Sequence, residues 1–99
     1  MSYKADSLFK KVQKHKGVEG IIICDRQGIP VKSTIANEDK VYLYTTGASK
    51  FLQKCKDNVK TIIKEDLKLL RIRFKGEEIL IIPNNDLILI IIQKPFSNN

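Results

Sequence analysis

Apolar residues recur along this chain at two periods, and the switches between them mark out its elements. Ala5, Leu8, Phe9 and Val12 follow the i, i+3, i+4, i+7 spacing, with Lys4, Asp6, Lys10, Lys11 and Lys14 on the other side. That spacing predicts a short amphipathic helix ending at Gly17, a glycine suited to a C-cap. The lysines crowd its last turn, where the helix dipole favours positive charge. VEGIIICDRQGIPVKSTI then reads as a hairpin: Ile21 to Ile23 lead into a DRQG turn, and Ile29, Val31, Ser33 and Ile35 alternate with Pro30, Lys32 and Thr34. The first strand is apolar on both faces, which predicts a central position. Pro30 cannot donate to a ladder, so the second strand belongs near an edge or starts at Pro30.

Asn37, followed by Glu38 and Asp39, is an N-cap with acids in the first turn. It opens the longest periodic segment, in which Val41, Tyr44, Ala48, Phe51, Leu52, Cys55, Val59 and Ile62 share one stripe of a helix of about six turns. Leu43 and Gly47 sit just off the stripe, beside Lys50 and Lys54. A glycine inside a helix costs about 1 kcal/mol relative to alanine, which suggests a close approach at Gly47.

The last third reads as three strands. In LLRIRF, Leu70, Ile72 and Phe74 point to one face and Leu69, Arg71 and Arg73 to the other. KGE turns the chain into EILII, which ends at Pro83; NND makes the next turn, and LILIII is apolar on both faces and belongs in the middle of the sheet. The tail KPFSNN is polar and expected to fray. The element order is α-β-β-α-β-β-β. It predicts an α+β fold with a five-stranded antiparallel or mixed sheet, a long helix on one face and the short N-terminal helix on the other.

Length and composition narrow the function. Ninety-nine residues are expected to form a single domain, 1–99, and a core this small gains from dimerisation. The net charge of +7 is carried mostly by dispersed lysines, with only three arginines. Dispersed lysine describes a solvated surface better than a nucleic-acid site, and no RNP-type signature accompanies it, so no specific nucleic-acid partner is expected. MSYKADSLFKKVQKHKG has no apolar leader core, and no apolar run approaches the roughly 20 residues that span a bilayer, so a cytosolic protein without membrane insertion is expected.

Catalytic groups are scarce. His15 is the only histidine and stands among lysines, with no motif tying it to a nucleophile. Cys24 and Cys55 are too far apart in sequence and too isolated to read as a metal site, and both are expected to be reduced, buried thiols. The glycines form neither GxxxxGK[ST] nor GxGxxG. Asp57, Glu65, Asp66, Glu77, Glu78 and Asp86 lie beside lysines or in turns, where surface pairing accounts for them. No enzyme and no cofactor are expected.

Interaction is the remaining class. LLRIRF falls at one end of the strand order, where its backbone is unpaired unless something covers it. Arg71 and Arg73 there fit two accounts: gatekeepers on a solvent face, or residues of an interface. At this point the motifs become specific. GVEGIIICDRQGIPVKST and LRIRFKGEEILIIPNNDLILIIIQKP closely resemble the roadblock family of dynein light chains, over Leu8 to Pro95. The resemblance implies a roadblock, profilin-like fold and a non-catalytic homodimer that binds the dynein intermediate chain in the cytoplasm, on the microtubule cytoskeleton. It further implies that the long helix and the third strand meet their twofold mates. That places Leu43, Gly47, Lys50, Lys54, Leu69, Arg71 and Arg73 at or near a dimer interface and tilts the two arginines toward it. The lysine-rich middle of the long helix matches the family least. Scaffolds of similar fold that regulate small GTPases are the alternative that the resemblance leaves.

Overall fold

The computed structural model describes the backbone of residues 2–62 and 67–94, and the side chains of residues 6, 7, 9–58 and 67–94. The stripe positions Ala5, Leu8, Val59 and Ile62, the carboxylates Glu65 and Asp66 and the tail from Pro95 therefore lie outside the described side chains.

The elements are α1 (Ser2–Gln13), β1 (Val18–Asp25), β2 (Pro30–Ser33), α2 (Glu38–Ile62), β3 (Leu70–Arg73), β4 (Glu78–Asn84) and β5 (Leu87–Gln93). All strands pair antiparallel in the order β2-β1-β5-β4-β3, which resolves the antiparallel-or-mixed alternative. The two strands that are apolar on both faces, β1 and β5, lie side by side in the interior of the sheet. Pro30 satisfies both expectations, as the first residue of an edge strand. Pro83 corrects one: β4 continues through it to Asn84. The missing N–H is tolerated because β3 has already ended opposite Ile81.

Local signals explain most boundaries. Asn37 Oδ1 accepts the Lys40 N–H at 3.1 Å, capping α2 as its position suggests. The first helix, by contrast, stops at Gln13 rather than at Gly17. Gly17 instead has φ +87°, inside the turn that delivers the chain to β1. Asn85 takes φ 57° in the β4–β5 turn, and its carbonyl accepts the Arg26 Nε at 2.7 Å, tying that turn to the one between β1 and β2.

The sheet divides the core in two. Val41, Ala48 and Leu52 of α2 pack on Ile22, Cys24, Ile79, Ile81, Ile88, Ile90 and Ile92. On the other face Phe9 of α1 packs with Ile21, Ile23, Leu87, Leu89 and Ile91. Burying each such aliphatic side chain is worth about 1.5–3 kcal/mol, so the β1–β5 pair anchors the fold. Cys24 is part of this core, and burial, helped by the charge of Asp25, pushes its thiol pKa up to about 12, outside the reactive range. Cys55 is only half-buried.

The turn before β2 presses against α2. A Cβ at Gly28 would stand 2.8 Å from Ser49 Oγ and 3.0 Å from the Thr45 carbonyl oxygen, and Gly28 has φ +88°. Gly28→Ala is expected to cost about 1–3 kcal/mol, read as a lower Tm with unchanged far-ultraviolet dichroism of the remaining folded protein.

Both helices sit toward one side of the sheet. α2 lies over β2, β1 and β5, and α1 lies against β1. The β3–β4 end is consequently the less covered end on both faces.

Candidate functional site

On the α2 face, the uncovered end of the sheet and the flank of the helix enclose an open groove of ≈300 Å³. Its floor is Ile72, Ile79, Ile81 and Ile90; its helical wall is Leu43, Tyr44, Gly47, Ala48 and Phe51. The lining is almost wholly apolar. Leu43 is 72% exposed, and Phe51 and Tyr42 are exposed on the same helix. Tyr44 closes one end, donating its hydroxyl to Glu77 Oε1 at 3.2 Å; burial and the Glu77 charge raise its pKa above the ordinary tyrosine value. Among the described residues beyond its own stretch of helix backbone, nothing comes within 4 Å of a Cβ built at Gly47, so none of them makes the close approach that its missing side chain suggests.

Beside the groove runs β3, the edge strand of the described sheet. The Phe74 N–H donates to the Glu77 carbonyl at 2.7 Å, and Ile72 and Leu70 stand opposite Ile79 and Ile81. Antiparallel ladders alternate, so Leu70, Ile72 and Phe74 turn their main-chain groups inward. The N–H and C=O groups of Arg71 and Arg73 therefore point off the edge of the sheet. An apolar groove next to open backbone donors and acceptors is the geometry of strand pairing with a second polypeptide.

Residues 4–94 match the family model described as the Roadblock/LC7 domain. The chain belongs to that family. Solved structures share the fold of this Roadblock/LC7 chain at low identity. The Roadblock/LC7 domain from Streptomyces avermitilis has 9% identity and a TM-score of 0.78, over 87% of this chain and 73% of that one. MglB of Myxococcus xanthus has 9% identity and a TM-score of 0.69, over 78% and 64%. An MglB with a tetrameric arrangement has 8% identity and a TM-score of 0.77, over 93% and 71%. The chain thus spans 64–73% of the length of these three.

Within this Roadblock/LC7 fold the seven residues singled out by sequence separate into groups. Leu43 and Gly47 line the groove. Lys50 and Lys54 are exposed on α2 but do not line it. Leu69 is exposed just before β3. Arg71 and Arg73 contribute main-chain groups to the edge, while their side chains turn to the opposite face. There they meet a residue that sequence reading missed.

Glu78 was expected to be a surface-paired carboxylate; it is 1% exposed. Its strand position sets it directly between Arg73 of β3 and Gln93 of β5, with Arg71 on the diagonal. Gln93 Nε2 donates to Oε1 at 2.8 Å, and Oε2 lies 3.5 Å from both Arg71 Nε and Arg73 Nη2. The Gln93 hydrogen bond holds the carboxyl below its ordinary pKa against the effect of burial, with the arginine charges adding to it. A folded-state pKa below the unfolded value, about 4.3, stabilises the fold above that pH, and the contribution disappears as pH falls through the folded value. The Tm gap between wild type and Glu78→Gln is therefore expected to narrow from pH 5 to pH 3. Asp6, whose pKa is lowered chiefly by its 2.6 Å hydrogen bond from Lys32, titrates in both proteins and cancels from that comparison.

His15 is exposed on the turn after α1. Among the described residues no three His, Cys, Asp or Glu side chains are grouped to hold a metal, and no described helix is long and apolar enough to cross a membrane.

Proposed function

We propose that this chain is a non-catalytic light chain of the dynein motor that homodimerises and binds the dynein intermediate chain, acting in the cytoplasm on microtubules. Membership of the Roadblock/LC7 family and the close resemblance of the LRIRFKGEEILIIP stretch to roadblock light chains support the partner. The observation that carries the dimer is the apolar groove beside the free β3 edge. A twofold mate would pair β3 with β3 and lay α2 beside α2. Leu43 and Gly47 are then central, Leu69, Arg71 and Arg73 join through the strand edge, and Lys50 and Lys54 lie at the rim.

Purified chain mixed with recombinant dynein intermediate chain tests the partner. Co-elution as a complex with two copies of this chain is expected, and separate elution at micromolar concentrations contradicts it.

A second reading, a roadblock-type scaffold regulating a small GTPase, draws on the fold, which MglB shares and which is thus not confined to motor subunits. Recovery of a nucleotide-bound GTPase in place of the intermediate chain would favour it.

A further inference from the structure

The α1 face of the same sheet end carries a second, chemically different surface. Arg71 and Arg73 share one carboxylate oxygen of Glu78, each at 3.5 Å, and that buried oxygen has no hydrogen-bond partner. Their side chains are 54% and 53% exposed. A guanidinium offers five N–H donors, so one shared contact leaves most of both forks open to solvent. Two positive charges face one negative charge, and the excess stands on a rigid strand. Gln93, which holds the other Glu78 oxygen, also lines a groove of ≈280 Å³ with Val12, His15, Lys16, Leu80 and Ile91. Leu80 is opposite Arg71 in the β3–β4 register. The arginine pair and this groove therefore form one surface, apolar along the half-buried Val12 and Leu80 and basic at Arg71, Arg73 and Lys16.

We propose that this surface docks an acidic and apolar segment of a partner polypeptide, whose carboxylates take the open guanidinium donors while its aliphatic side chains cover Val12 and Leu80. Planar forks favour carboxylates, and the apolar floor distinguishes such a segment from a bare polyanion. The site is complete within one chain. It rests on the proposed dimer only for its doubling, in which the β3 edges bring four arginines and two Glu78 carboxylates to the twofold axis.

The test uses a fluorescein-labelled peptide alternating Glu and Leu, its Gln-for-Glu counterpart, phosphatidylserine vesicles and duplex DNA, with binding followed by anisotropy or co-sedimentation. The acidic peptide is expected to bind wild type and to weaken about tenfold or more in Arg71→Gln/Arg73→Gln and several-fold in Lys16→Glu, with sedimentation of the double variant unchanged. The Gln peptide is expected to bind about tenfold more weakly than the acidic one. Equal binding by the double variant overturns the proposal. So does tighter binding of vesicles or DNA, which would make the surface a site for lipid or nucleic acid. A double variant that falls apart to monomers also overturns it, because the arginine side chains would then be dimer contacts. Wild type that sediments as a monomer yet binds the peptide through these arginines contradicts the dimer alone.

Discussion

Leu43→Glu is expected to convert the proposed dimer to a folded monomer. Leu43 is the most exposed of the described large apolar residues, at 72%, so in an isolated chain a charge there stands in solvent. Such a surface change alters monomer stability by no more than about 0.5 kcal/mol. In the proposed twofold dimer the carboxylate enters an apolar groove twice, since an isologous interface uses the same patch from both copies. At even about 2 kcal/mol per copy the dissociation constant rises about a thousandfold. Sedimentation velocity reads the mass, and circular dichroism confirms that the monomer is folded. Gly47→Leu sharpens the same test, because its two effects have opposite signs. Exchanging glycine for leucine in the helix favours the lone chain by about 0.8 kcal/mol, and the new Cβ meets open space among the described residues. The monomer is expected to become more stable while the dimer weakens.

The second large effect is expected at Ile90, which is fully buried in the middle strand and reaches both the core under α2 and the floor of the groove. Ile90→Ala removes buried methyl groups and leaves a cavity, at a cost of about 2–5 kcal/mol. Against a total stability of about 5–10 kcal/mol for a chain of this size, that is enough to lower the denaturant midpoint by a large fraction. Val31→Ala, on the exposed edge strand, is expected to shift the midpoint little. Comparable losses at the two positions would contradict the placement of β5 at the centre and β2 at the edge.

The features that sequence made legible are those encoded within a few residues. Asn37 with its following acids, the aliphatic runs of β1 and β5, and Pro30 each carry their structural meaning locally. The edge position of β3 was also readable, and Gly47 stood out because it contradicts the propensity of its helix. Features set by the meeting of distant elements were not readable in this way. Glu78 follows Glu77 in what looks like a charged turn. Its burial arises from cross-strand neighbours, Arg73 on one side and Gln93 on the other, and so depends on registers that composition does not print. Gly28 resembles any turn glycine until the turn is laid against Thr45 and Ser49. The groove required knowing that α2 sits over β1, β2 and β5 rather than across the whole sheet. The split of Arg71 and Arg73 between two roles follows from geometry as well: main chain and side chain leave an edge strand in different directions.

Whether a second copy pairs with the β3 edge is reported by the amide protons of Arg71 and Arg73. Both N–H groups point off the sheet, on the side where no described strand pairs with β3. Hydrogen exchange resolved to single residues, in wild type and in Leu43→Glu at the same concentration, compares the paired and unpaired edge. The two amides are expected to be protected in wild type, at a sedimentation mass of two 11.3 kDa chains, and to exchange rapidly in the variant. Rapid exchange at both positions in a wild-type protein of that dimeric mass would contradict it.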